Sequence, residues 1–190
     1  MLLYASAGAG ASMLTWIIKR LLNPKYYCSN PIDSLGSAHN QPLCSHWFGD
    51  DNHFVEILKQ TPEKEQIIHC DPNFVTVKKA SQYVSIYIDL QDSEDVRQAA
   101  IFCQKKIPAY HQRSLTTIGY MLLSQRLDPE LYNFTICIPF KQLFYGNIDV
   151  LLKRVAECVG APLDQDTATI SSVVAQWRHG NDDIIRGIES

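Results

Sequence analysis

Charge is scarce in this chain. Only 19% of its 190 residues are charged, the net charge is −3 and no basic block occurs, so no general nucleic-acid or anionic-membrane surface is expected. No uncharged run is long enough for a convincing bilayer-spanning helix, which leaves no membrane partner. No two of the six cysteines stand in C-x-x-C spacing, so reduced thiols acting as small apolar side chains are expected. No basic segment precedes the apolar start. Lys19 and Arg20 follow it, which argues against reading Ala5-Ser6-Ala7 as a signal-peptide cleavage site and for a cytoplasmic protein. Repeats and low-complexity segments are also missing. What remains, 46% hydrophobic residues in one stretch of domain length, predicts a single domain over 1–190 with a sizeable core.

The most informative stretch is Met1 to Leu22. Met1 to Ala5 is a short apolar run of the kind buried on both faces of a parallel sheet. Ser6-Ala7-Gly8-Ala9-Gly10-Ala11-Ser12 keeps every side chain small, and Met13, Leu14, Ile17, Ile18, Leu21 and Leu22 then recur at helical spacing before Pro24. Strand, small-residue loop and helix together point backbone N–H groups and a positive helix end at an anion. Against the phosphate-binding pattern G-x-x-x-x-G-K-[ST], the aligned residues are Ala5, Gly10, Ala11 and Ser12. The second glycine and the hydroxyl are kept and the lysine is missing, which disfavours ordinary ATP or GTP hydrolysis. The competing reading is a tight turn whose glycines serve close packing.

Strand patterns follow at Gln66–Cys70, Tyr83–Leu90 and Asn133–Pro139. Helical patterns run from His53 to Gln60, from a Ser93-Glu94-Asp95 cap to Lys106, from Pro108 to about Arg126, from Ile148 to Val159 before Gly160, and from Thr167 to Arg178 before Gly180. Alternating strands and helices predict an α/β domain built on a central parallel sheet flanked by helices. Ligands of such sheets bind outside the carboxyl ends of the strands, which selects the Gly8–Ser12 loop, His69 and the Asp89–Asp92 segment. His69 is placed to act as a general base, or to be a part-buried histidine with one backbone hydrogen bond. Residues 23–52 read as a substrate-facing lid carrying Trp47 and Phe48. His39, Cys44, His46 and His53 match no common zinc spacing, and no metal is assigned.

These landmarks, taken in order, resemble the sulfotransferases, P-loop-fold enzymes that move a sulfuryl group from 3′-phosphoadenosine 5′-phosphosulfate (PAPS) to an alcohol or amine. Gly10-Ala11-Ser12-Met13-Leu14 is similar to the family's Gly-Thr-Thr loop, and Ile68-His69-Cys70-Asp71-Pro72 to its Thr-His-Leu-Pro. Leu90 to Val96 falls in the register of Arg-Asn-Pro-x-Asp-Val, Ile138 to Phe144 in that of Tyr-Glu-Asp-Leu, and Cys158-Val159-Gly160 in that of Phe-Leu-Gly. Arg178-His179-Gly180 is similar to Arg-Lys-Gly.

The resemblance implies an α/β, three-layer P-loop-type fold with a central parallel sheet flanked by helices, PAPS as cofactor, a small-molecule or glycan acceptor, and His69 as catalytic base. It also implies nucleotide contacts from Gly8, Ala9, Gly10, Ala11, Ser12, Met13, Gln91, Arg178 and Gly180. The family's two lysines correspond to Gly8 and Ile67, its 3′-phosphate arginine to Gln91 and its serine to Ala99. Each replacement removes a contact typically worth about 1.5–3 kcal/mol. A kinase-like phosphotransferase, suggested by Ser12, and a non-catalytic binding protein that kept the fold are the alternatives.

Overall fold

The computed structural model describes residues 1–23, 44–47, 67–70, 83–163 and 167–182. Five strands form one sheet: β1 (Leu2–Tyr4), β2 (Cys44–Trp47), β3 (Ile67–Cys70), β4 (Ser85–Asp89) and β5 (Ile136–Pro139). Their order is β2-β3-β1-β4-β5 and every pairing is parallel. The first strand therefore lies in the middle, with Leu3 opposite His69 of β3 on one side and Ile86 of β4 on the other.

Burial on both faces explains why the strands are apolar almost without alternation. Leu3, Ala5, Ile67, Ile86, Ile88 and Ile138 join the main core on one face, and Leu2, Tyr4, Cys70 and Tyr87 pack with Phe134 and Leu127 on the other. The helices follow the same rule. In α1 (Ala11–Leu22), Met13, Leu14, Ile17, Ile18 and Leu21 are buried, and Asn23 closes the helix by donating to the Lys19 carbonyl. It packs against α6 (Ile148–Val159) and α7 (Thr167–Gly180), while α2 (Ser93–Lys106) packs against α3 (Leu115–Ser124). Gly160, at φ 70°, ends α6 in the left-handed conformation expected of a helix-terminating glycine.

Several expectations need correction. The helix expected from Pro108 to Arg126 divides into a 3-10 turn (Pro108–Tyr110) and α3, because Ser114 leaves the helical region and caps α3 by accepting from the Thr117 N–H. The cap of α2 is Asp92, which accepts from the Glu94 and Asp95 amides, so Ser93 is the first helical residue. The strand expected from Asn133 begins only at Ile136: α4 (Pro129–Tyr132) precedes it and Asn133 takes a left-handed φ of 45°. A further short helix, α5 (Phe140–Phe144), follows β5 directly. Cys44–Trp47, expected in a lid, is the edge strand β2. The remainder of that lid, the helix from His53 to Gln60, and His39 and His53 lie outside the described residues.

Candidate functional site

Because β1 is central, the loop that follows it opens at the carboxyl edge between β3 and β4, where parallel sheets place ligands. The Ala5 amide still pairs with the Cys70 carbonyl at 3.3 Å. A turn then closes with the Ala9 N–H donating to the Ser6 carbonyl at 3.1 Å, and Gly8 supplies its positive φ of 74°. Gly10 follows at φ 87° and caps α1 with no side-chain hydrogen bond.

The first α-helical hydrogen bond runs from the Leu14 N–H to the Gly10 carbonyl, so the amides ahead of Leu14 point out of the helix start. No acidic residue stands in the first turn, whereas Lys19 and Arg20 stand in the last. By contrast α2, α3, α4 and α6 are each capped by a side chain: Asp92, Ser114, Asp128 and Asn147. The positive end of α1 thus reaches the middle of the carboxyl edge with a glycine, which has no side chain to close it, at its N-cap. That is a geometry suited to an anion.

The two glycines have a packing role of their own. A Cβ on Gly8 would lie 2.4 Å from the Ala99 carbonyl oxygen and 2.7 Å from Cys103 Sγ, both on α2. One on Gly10 would lie 2.6 Å from Leu143 Cδ2 and 3.1 Å from the Phe144 ring, both on α5. Ala9, Ala11 and Met13 are buried with them, and Ala7, Gly8 and Ser12 are half-buried. The loop is therefore wedged between two helices, as the packing alternative requires.

His69 ends half-buried beside this loop, its Nε2 3.1 Å from the Ala5 carbonyl oxygen. A carbonyl only accepts, so Nε2 donates to it, and the other ring nitrogen, Nδ1, is buried. The backbone hydrogen bond of the bland alternative is present.

On the β4 side the exposed Gln91 donates its N–H to Asp95 Oδ2 at 2.8 Å. Asp95 is fully buried, and Lys141 reaches both carboxylates, at 2.5 Å from Asp92 Oδ2 and 3.7 Å from Asp95 Oδ1. Burial pushes the Asp95 carboxyl above its ordinary range, while the Lys141 ammonium and two backbone N–H donors hold the exposed Asp92 carboxyl below it. Asp89, the last residue of β4, is the site feature with the weakest sequence signal, one polar residue closing an apolar strand. It is only 6% exposed, its Oδ1 has no hydrogen-bond partner, and burial raises its pKa.

Arg178 and Gly180 lie on α7, where Gly180 is exposed at the helix end. All three guanidinium nitrogens of Arg178 donate to backbone carbonyls at the end of α5: Nε and Nη2 to Leu143 at 3.0 and 2.8 Å, Nη2 to Gln142 at 3.1 Å and Nη1 to Gly146 at 2.7 Å. Thus the loop, His69 and Gln91 gather around the ends of β1, β3 and β4, and Arg178 is turned toward α5. Neither position aligned with the 3′-phosphate grip presents a cation outward, since Gln91 is neutral and the Arg178 fork is occupied. Comparison of the chain with protein-family models, curated proteins and solved structures gives no match.

Proposed function

We propose that this is a P-loop-type, sulfotransferase-like domain that binds the phosphate end of a PAPS-type nucleotide at the β1–α1 loop and transfers its sulfuryl group to a hydroxyl or amine. The observation carrying this reading is the α1 N-terminus, which meets the central carboxyl edge of the sheet with a glycine at its N-cap and no acidic residue in its own first turn. Amides from Gly10 to Met13 and the Ser12 hydroxyl would hold the anionic groups, and the nucleotide would supply the activated sulfuryl group. His69, whose Nε2 donates to the Ala5 carbonyl, would be the base for the acceptor's proton.

Calorimetry with adenosine 3′,5′-bisphosphate tests the binding step. Saturable binding supports the reading, and no heat at millimolar ligand refutes it. The acceptor, a small molecule or a glycan, is then sought by sulfuryl transfer from PAPS.

A second reading, binding without transfer, is favoured by one specific observation. Arg178 is engaged in holding the backbone and Gln91 carries no charge, so the 3′ grip of the resemblance is not reproduced. Tight nucleotide binding with no transfer to any acceptor would select it. A thermal shift with ATP that requires magnesium, and is absent with the bisphosphate, would instead select a kinase-like phosphotransferase.

A further inference from the structure

The geometry points to Arg178 as a positioning residue that sets the shape of the β1–α1 loop through α5, rather than as a group that touches ligand; the inference rests on the nucleotide-binding reading above. Helix α5 is five residues long, and a helix leaves its last carbonyls without intrahelical donors. Two of its late carbonyls, Gln142 and Leu143, and that of Gly146 just beyond are all taken by the one guanidinium. The fork is half-buried on α7, whose Trp177 is fully buried with its ring centroid 5.0 Å from that of Phe144. Phe144 in turn stacks on Phe140 at 4.2 Å.

Gly10 rests on the same short helix, through the side chains of Leu143 and Phe144. Arg178 therefore ties down the backbone of the same residue, Leu143, whose side chain abuts the N-cap of α1. A lysine ammonium is a point donor without the planar fork and cannot hold three carbonyls in this arrangement. Its substitution would free the end of α5, and Leu143 and Phe144 would no longer fix where Gly10 presents the amides of α1.

The test compares wild type with Arg178→Lys and Phe144→Leu, each at a temperature where it is folded by circular dichroism. Two ligands are titrated, adenosine 3′,5′-bisphosphate and adenosine 5′-monophosphate, and hydrogen exchange of residues 8–13 is followed without ligand. The positioning role predicts that both variants weaken both nucleotides alike, by about tenfold, and speed exchange in the loop. Loss confined to the ligand bearing a 3′-phosphate would show direct contact and overturn the inference. Unchanged affinity and unchanged exchange would also overturn it. If wild type binds neither nucleotide, the nucleotide reading has failed, and the exchange measurement alone decides whether Arg178 positions the loop. If Arg178→Lys does not fold, Phe144→Leu decides by the same readouts.

Discussion

Gly8 meets Ala99 with no room for a side chain: a Cβ there would sit 2.4 Å from the Ala99 carbonyl oxygen. Gly10 is crowded differently, by the tip of Leu143 at 2.6 Å. Both hold positive φ, which costs an ordinary residue about 1–2 kcal/mol, and overpacking adds about 1–3. Gly8→Ala is expected to lower stability by about 2–5 kcal/mol in urea denaturation. Cys103→Ala should not rescue it, because the obstructing atom is backbone. Gly10→Ala should lose a similar amount and recover part of it in combination with Leu143→Ala, since a side chain can give way. Full rescue at Gly8, or none at Gly10, would contradict this packing.

Ser12 separates the ligand role of the loop from its packing role. It is the second residue of α1 and half-buried, and the helix is capped by Gly10 rather than by a hydroxyl. Ser12→Ala removes one donor, which is expected to weaken the bisphosphate by about threefold to tenfold, or ~0.5–1.5 kcal/mol. Stability should be nearly unchanged. Unfolding of the variant, with normal affinity per folded molecule, would make the hydroxyl structural.

His69 has both a structural and a chemical duty in this reading, and two substitutions divide them. His69→Ala leaves the carbonyl of the buried Ala5 without its Nε2 donor, at a cost of about 1–3 kcal/mol. His69→Gln returns an N–H donor and should recover part of that stability. Neither should transfer sulfuryl groups, and both should bind the bisphosphate with wild-type affinity, since the base faces the acceptor. Transfer activity in the glutamine variant would exclude His69 as the base.

The central strands and most long helices were legible because burial on both faces leaves apolar runs in the strands and burial of one face leaves a helical period in the helices. The apolar run Leu2–Tyr4, the β-branched and aromatic Ser85–Asp89 and the heptad-like spacing in α1 and α6 each have one reading. Short elements set by tertiary partners were not legible. Nothing local announces α5, whose carbonyls are completed by Arg178 from 32 to 36 residues away. The edge strand β2 owes its existence to backbone pairing with β3, and its Asn- and Ser-rich surroundings read as loop. At the site, the small-residue loop and His69 were visible as residue types. Whether the glycines face a ligand or a helix depends on what α2 and α5 bring to them, which no spacing within residues 6–12 encodes.

Asp89 makes a pH-dependent prediction. Burial raises its folded-state pKa, with the Arg126 charge and a Gln91 hydrogen bond opposing and Asp95 and Asp128 reinforcing the shift. The unfolded carboxyl titrates near its ordinary value of about 3.9. Between that value and the raised one, the folded protein binds more protons than the unfolded chain, so this group makes stability fall as pH rises through the interval. Asp95, raised by burial, acts in the same direction, whereas the lowered carboxyls of Asp92 and Glu94 act oppositely, so the wild-type profile alone cannot isolate Asp89. The difference between wild type and Asp89→Asn can. The asparagine keeps the shape and never ionises, and it leaves the same Oδ1 position without a donor. The variant should be more stable than wild type near neutral pH, and the gap should shrink as pH falls to about 3, where both side chains are neutral. A gap independent of pH would mean that Asp89 titrates alike in both states and that its burial carries no electrostatic cost.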